Sequence, residues 1–161
     1  MNLVYLHLGS NIGDRDMFLQ QAKSYIQDEI GEIIERSKIY QTSPWGNIKQ
    51  EDYLNQAICV QTVLSAPDIL EKALFIEKIM GRIRVVKWGA REIDIDILFF
   101  NNDIISTKYL EIPHPLLHKR LFVLQPLMDI APIFIHPIYN QTISEMLESC
   151  SDLEKLEEYA V

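Results

Sequence analysis

Two cysteines are all that the 161 residues contain, Cys59 inside an apolar run and Cys150 near the C-terminus. That number supports neither a disulfide framework nor a thiolate-rich zinc site, so both are read as ordinary thiols. Long hydrophobic runs are also missing. No stretch approaches the roughly 20 apolar residues that a membrane helix needs, and Met1-Asn2-Leu3-Val4-Tyr5 reads as the start of a strand rather than as a basic leader region. A cytoplasmic location is the default expectation. Positive charge is in deficit too: 15 Lys and Arg against 23 Asp and Glu leave a net charge of −8. This argues against a general nucleic-acid binder, because phosphate backbones are held by surplus basic residues.

What is present is the apolar content of one compact domain, 48% hydrophobic, expected to span residues 1–161. The few basic residues are clustered. Arg82, Arg84, Lys87 and Arg91 fall in one ten-residue window, where even spacing would put about one, and such a patch suits an anionic ligand. Leu3 to Leu8 reads as a strand ended by Gly9-Ser10-Asn11, and Phe18, Ala22, Tyr25 and Ile26 then repeat at helical spacing. Ile33 to Gln41 and Tyr53 to Val63 read as strands. Ser65-Ala66-Pro67-Asp68 is a helix start, and the helix runs to Gly81 with Glu77 near its seam. Ile93 to Phe100 is a further strand, followed by an Asn101-Asn102-Asp103 turn. The order β-α-β-β-α-β predicts an α+β, ferredoxin-like core with helices on one face of an antiparallel sheet. Extra C-terminal helices are expected around Leu116 to Leu127 and from the Thr142-Ile143-Ser144-Glu145 capping box to about Glu157, the latter with its acidic residues on a wet face.

In Ile93-Asp94-Ile95-Asp96-Ile97 the side chains alternate across the sheet, so the isoleucines enter the core and both carboxylates stand on the other face, about 7 Å apart at the backbone. One reading is the solvated face of an edge strand. The other is a divalent cation site, since hard oxygen ligands suit Mg²⁺ and the ion cancels the repulsion. The basic segment running into this strand favours the second, because phosphoryl transfer brings metal carboxylates and guanidiniums together. Gly9-Ser10-Asn11-Ile12-Gly13 is a structural turn rather than a Walker loop, which needs a Lys-Ser/Thr pair where Asp14-Arg15 stands. His114 is held between Pro113 and Pro115, and Arg120 and Phe122 follow. Tyr53 and Asn55 share one strand face, an aromatic surface beside an amide; core packing is the alternative for Tyr53.

Lys87-Trp88-Gly89-Ala90-Arg91-Glu92-Ile93-Asp94-Ile95-Asp96-Ile97-Leu98 resembles the signature of the 6-hydroxymethyl-7,8-dihydropterin pyrophosphokinases of folate biosynthesis. Leu8-Gly9-Ser10-Asn11, Thr42-Ser43-Pro44-Trp45-Gly46, Tyr53-Leu54-Asn55, Gly81-Arg82-Ile83-Arg84 and Pro113-His114 with Arg120 and Phe122 agree in order and spacing. The resemblance implies a ferredoxin-like core and transfer of the β,γ-diphosphate of ATP to the pterin hydroxymethyl oxygen, releasing AMP. It implies that Asp94 and Asp96 hold two Mg²⁺ ions and that Arg82 and Arg91 lie in a mobile loop closing over the phosphates. Arg84, Trp88, His114 and Arg120 match further ATP-site positions, with Ile97 and Leu110 near the adenine. Tyr53 and Phe122 match the rings that sandwich the pterin, Asn55 the residue pairing with its polar edge, and Thr42, Ser43, Pro44 and Trp45 the rest of that pocket. Ser43 and Ala90 stand where proline is frequent, and Lys87 where arginine is frequent. The substrates expected are small molecules, without nucleic acid or membrane, and the enzyme is expected to be monomeric.

Overall fold

The computed structural model describes residues 1–43, 51–81 and 92–160. Its centre is β1 (Asn2–Ser10), flanked antiparallel on one side by β4 (Tyr53–Thr62) and on the other by β5 (Asp94–Phe100). On the far side of β4 lie β2 (Glu32–Arg36) and β3 (Tyr40–Thr42), and β8 (Leu156–Glu158) pairs with β3. A separate two-stranded ladder joins β6 (Ile105–Ser106) to β7 (Glu111–Ile112).

Helix α1 (Arg15–Glu29) begins where the Asp14 side chain accepts a hydrogen bond from Met17 N. Helix α2 (Ala66–Ile79) begins at Ser65, whose hydroxyl accepts from Asp68 N, and it stops at Gly81, whose φ of +93° only glycine adopts freely. Both helices lay their apolar stripes, among them Leu19, Ala22 and Ile26 of α1 and Ile69, Ala73 and Ile76 of α2, on Val4, Leu6, Leu8, Leu54, Ile58, Val60, Ile95 and Ile97. That face of the sheet is closed.

The other face is covered in part by α3 (Leu121–Ile130) and α4 (Ile143–Glu148), through Ala57, Leu98, Phe99, Val123, Leu124, Leu127, Ile143 and Met146. A bulge where β5 slips against Tyr5 and Leu6 lets both Leu98 and Phe99 join this second cluster. The remainder of that face, toward the Gly9 end of β1, holds the candidate site.

Two segments differ from the expectation. The run from Ile33 to Gln41 is two short strands, broken where the Ser37 hydroxyl accepts from Ala57 N and its carbonyl accepts from Gln56. The helix expected to reach Glu157 ends at Glu148, and residues 156–158 form a strand. A longer helix would have needed Leu153 in its seam, but Leu153 is 96% exposed. Pairing with β3 instead satisfies an otherwise open sheet edge, and Asp152 is held back by accepting from Leu121 N at the start of α3.

Candidate active site

Strand register assembles the site. In the antiparallel ladders Gly9 stands opposite both Asp94 and Asn55, and His7 opposite both Asp96 and Ala57. Directly paired residues share a face, so Asp94, Asp96, His7, Gly9 and Asn55 look the same way, and Tyr53, two residues before Asn55, joins them. Ile93, Ile95 and Ile97 enter the core as the alternation requires, while Asp94 and Asp96 remain half-buried.

The strand carrying the carboxylates is pinned from outside. Buried Glu77, at the end of α2, accepts a hydrogen bond from Ile95 N at 2.7 Å, midway between Asp94 and Asp96. Ile95 N therefore points away from β1. Period-two parity turns the Ile97 backbone to the same outer edge, although its side chain is in the core.

Asn55 is 1% exposed. Its amide nitrogen donates to Thr42 Oγ1 (2.9 Å), Tyr40 O (3.2 Å) and Tyr53 O (3.4 Å), which fixes the side chain and aims Oδ1 toward Gly9. Behind it the Tyr40 hydroxyl donates to the Asp129 carboxylate, and burial together with that neighbour pushes the phenol up to about 12. Phe122, in the first turn of α3, projects over this floor with its ring centroid 5.6 Å from that of His7. The Arg120 guanidinium lies 5.5 Å from the Phe122 ring. His114 N donates to Leu98 O and its Nδ1 accepts from Leu116 N. Burial first, and Arg120 second, lower His114 to about 4, so it is a neutral imidazole at pH 7.

The structure thus brings together Asp94, Asp96, Tyr53, Asn55, Thr42, Phe122, Arg120 and His114. Ser43 follows Thr42 at the exposed end of β3. Ile97 and Leu110 are not on this face: both side chains pack into the cluster beneath α1 and α2. Pro44, Trp45, Arg82, Arg84, Trp88 and Arg91 lie outside the described residues, as does Lys87.

Residues 5–132 match the family model for 7,8-dihydro-6-hydroxymethylpterin-pyrophosphokinase. The chain is 42% identical over 145 residues to the 2-amino-4-hydroxy-6-hydroxymethyldihydropteridine pyrophosphokinase of Aquifex aeolicus, covering 90% of each. To the protein of the same name from Bacillus subtilis it is 43% identical over 130 residues, covering 80% of this chain and 78% of that one. The chain belongs to this pyrophosphokinase family. Among solved structures, Plasmodium falciparum HPPK-DHPS in its wild-type form with pteroate superposes with a TM-score of 0.77 at 18% identity, over 91% of this chain and 44% of that one. The chain thus spans less than half of that polypeptide, and the likeness is one of fold.

Two residues that the structure sets at this candidate site escape a reading of the sequence. Glu77 shows there as a charge near a helix seam, and its bond to β5 exists only in three dimensions. His7 sits inside an apolar run; the available signal is that it lies two residues before Gly9 and so shares its face.

Proposed function

We propose that Asp94 and Asp96 hold the metal of a diphosphate transfer whose acceptor, 6-hydroxymethyl-7,8-dihydropterin, lies on the floor formed by Gly9, Asn55 and Tyr53 under Phe122. The chain transfers the β,γ-diphosphate of ATP to the hydroxymethyl group of that pterin, in folate biosynthesis. The observation that carries the site assignment is the ladder register, which sets both carboxylates and the Asn55–Tyr53 pair on one sheet face.

The donor set fits a hard divalent cation. Two carboxylates face the same way, and among the described residues no cluster of three or more His, Cys, Asp or Glu offers a closed cage. Asp94 and Asp96 would hold such a cation with water and phosphate oxygens completing its ligands, the habit of Mg²⁺, and two ions are the number we propose. When bound, Mg²⁺ supplies charge neutralisation at the transferring phosphates.

The protein's own part is positioning. Asn55, locked by Thr42 and the Tyr40 carbonyl, presents an amide oxygen to the polar edge of the pterin. Tyr53 and Phe122 supply the two aromatic faces, and holding the acceptor oxygen in line removes much of the entropic barrier. Arg120 and neutral His114 border the phosphate side, and the role we assign to Arg82, Arg84 and Arg91 is to spread the developing negative charge over their guanidiniums, with Trp88 as a further ATP contact. The remaining pterin contacts we assign to Thr42 and Ser43 at the end of β3 and to Pro44 and Trp45 that follow them in sequence. The outer edge of β5 and the neighbourhood of Leu110 offer the adenine a backbone edge at Ile97 rather than its side chain.

The ferredoxin-like reading of the core is supported by a strand order of β5-β1-β4 with β2 on the far side of β4. A single domain over 1–161 is supported by one six-stranded sheet carrying both apolar clusters. No described helix is long and apolar enough to cross a membrane; a monomeric cytoplasmic enzyme is the reading we take with small-molecule substrates.

The test is to incubate the protein with ATP, Mg²⁺ and the pterin and separate the nucleotides by ion exchange. AMP and pterin diphosphate should form in equal amounts. Stoichiometric ADP, or AMP released equally fast without the pterin, would overturn the reading.

A further inference from the structure

One buried polar group belongs to the floor of this pocket without having a part in the mechanism above. His7, in the middle of β1, is 3% exposed, and neither of its ring nitrogens makes a hydrogen bond. The Phe122 backbone and the Asn55 side chain approach the ring, but neither is placed for a bond of ordinary geometry. Buried polar atoms in folded proteins are nearly always paired, so two orphan nitrogens on one ring need an explanation.

The orientation of the ring supplies one. A Cβ built on Gly9 would stand 3.7 Å from His7 Cε1, 3.6 Å from Tyr53 Cδ1 and 3.8 Å from Asn55 Oδ1. Cε1 is the carbon between the two nitrogens. The nitrogen-bearing edge of His7 thus borders the small gap that the missing Gly9 side chain leaves between Tyr53 and Asn55. The Phe122 ring meets the imidazole at a steep angle of 63° rather than stacking flat on it. Burial, reinforced by His114 and Arg120, lowers His7 to about 4, so at pH 7 the ring is neutral and offers one donor and one acceptor.

We propose that His7 is a further substrate-binding residue of this pocket, hydrogen-bonding the bound pterin from the Gly9 floor beside Asn55. The ligand class is a nitrogen-rich fused heterocycle, whose edge alternates donors and acceptors and can answer either imidazole nitrogen. The inference rests on the reading of Tyr53, Asn55 and Phe122 as the pterin pocket. Against it stands a packing role, in which His7 merely supports Phe122 through its ring edge.

His7→Phe separates the two, since it keeps an aromatic ring under Phe122 and removes both nitrogens. Binding of 6-hydroxymethyl-7,8-dihydropterin is measured by calorimetry with Mg²⁺ and α,β-methylene-ATP, whose bridging carbon blocks transfer. The pterin dissociation constant should rise about five- to ten-fold, the worth of one hydrogen bond, with the KM for ATP within about two-fold of the parent value. His7→Gln, which retains a donor and an acceptor, should recover part of the loss. In the unsubstituted protein labelled with ¹⁵N-histidine, one His7 ring nitrogen resonance should move on saturation with the pterin, assigned by its loss in His7→Gln. That measurement decides the matter even if His7→Phe folds poorly. An unmoved His7 resonance, or unchanged pterin affinity in His7→Phe while Phe122→Ala weakens binding, overturns the role of His7 and leaves the pocket standing. Unchanged affinity in Phe122→Ala as well would overturn the pocket itself.

Discussion

The two faces of the central strands use the same backbone for opposite ends. On one face Val4, Leu6 and Leu8 of β1 meet Ile95 and Ile97 of β5 and Leu54, Ile58 and Val60 of β4 under α1 and α2. On the other, the intervening residues are His7, Gly9, Asp94, Asp96, Tyr53 and Asn55. A buried polar residue on the helix-covered face, Gln56, is satisfied within the protein: its carbonyl accepts from Lys23 Nζ at 2.9 Å and its amide donates to Ser37 O at 2.7 Å. His7, buried to a similar depth across the sheet, has no such partner. The polarity of Gln56 is absorbed by the fold, whereas that of His7, beside the Gly9 floor, is left for a ligand.

All four histidines belong to the second face and its cover, and acid should therefore act from that side. His7, His114 and His136 are each lowered to about 4, mainly by burial. Being neutral when folded, they favour the native state fully above the ordinary value near 6.5. As pH falls from there toward 4 the unfolded chain takes up protons that the folded one refuses. Each such proton costs about 1.4 kcal/mol per pH unit, which over the window amounts to several kcal/mol, with half-buried His114 contributing least. Urea midpoints measured from pH 7 to 4 should drop through this window; a flat profile would show that the histidines are protonated in the fold.

Single substitutions sharpen the contrast. Leu6→Ala opens a cavity beneath α1 and α2 and should cost about 2 to 5 kcal/mol of stability. Any loss of turnover at a temperature where the variant is folded should be small, because Leu6 faces away from the site. Asp94→Ala and Asp96→Ala should do the reverse, lowering turnover at least about a hundredfold while leaving the melting temperature in metal-free buffer unchanged or slightly raised as repulsion is relieved. Thermal melts beside product assays read both quantities. If either carboxylate variant melts far below the parent, the carboxylates serve the fold and the comparison of faces fails.

Much of this division was legible in the residues because a strand's period of two is strict. The alternation in 93–97 separates carboxylates from isoleucines without reference to any other element, and Tyr53 with Asn55 declares a shared face in the same way. What was not legible depends on partners distant in sequence. Nothing local tells Glu77 that Ile95 N will lie 2.7 Å away. Helical periodicity continues through Leu153 and Leu156, yet the chain turns there to pair with β3, a choice made by a free strand edge more than a hundred residues earlier. His7 was hidden by its apolar neighbours, and its role emerges only from the Gly9 gap.

The smallest expected effect concerns the aromatic pair, where the same face contains a built-in control. Tyr5 lies on the Tyr53 side of the sheet and is likewise half-buried, but its ring meets Phe99 and Phe134 edge-on at 6.2 and 5.3 Å, and its phenol is raised well above the usual range by burial. Tyr53 is half-buried beside Gly9, and Phe122 is half-buried above His7. Stacking on a heterocycle is worth roughly 1 to 3 kcal/mol per ring, so Tyr53→Ala and Phe122→Ala should each raise the pterin dissociation constant about five-fold or more while changing the melting temperature little. Tyr5→Ala should show the opposite pattern, a lower melting temperature with pterin affinity near the parent value, because its ring is spent on its own neighbours. Calorimetric titration of the three variants alongside their thermal melts makes the comparison. Unchanged affinity in both Tyr53→Ala and Phe122→Ala would return those rings to the core and move the pterin elsewhere on the sheet.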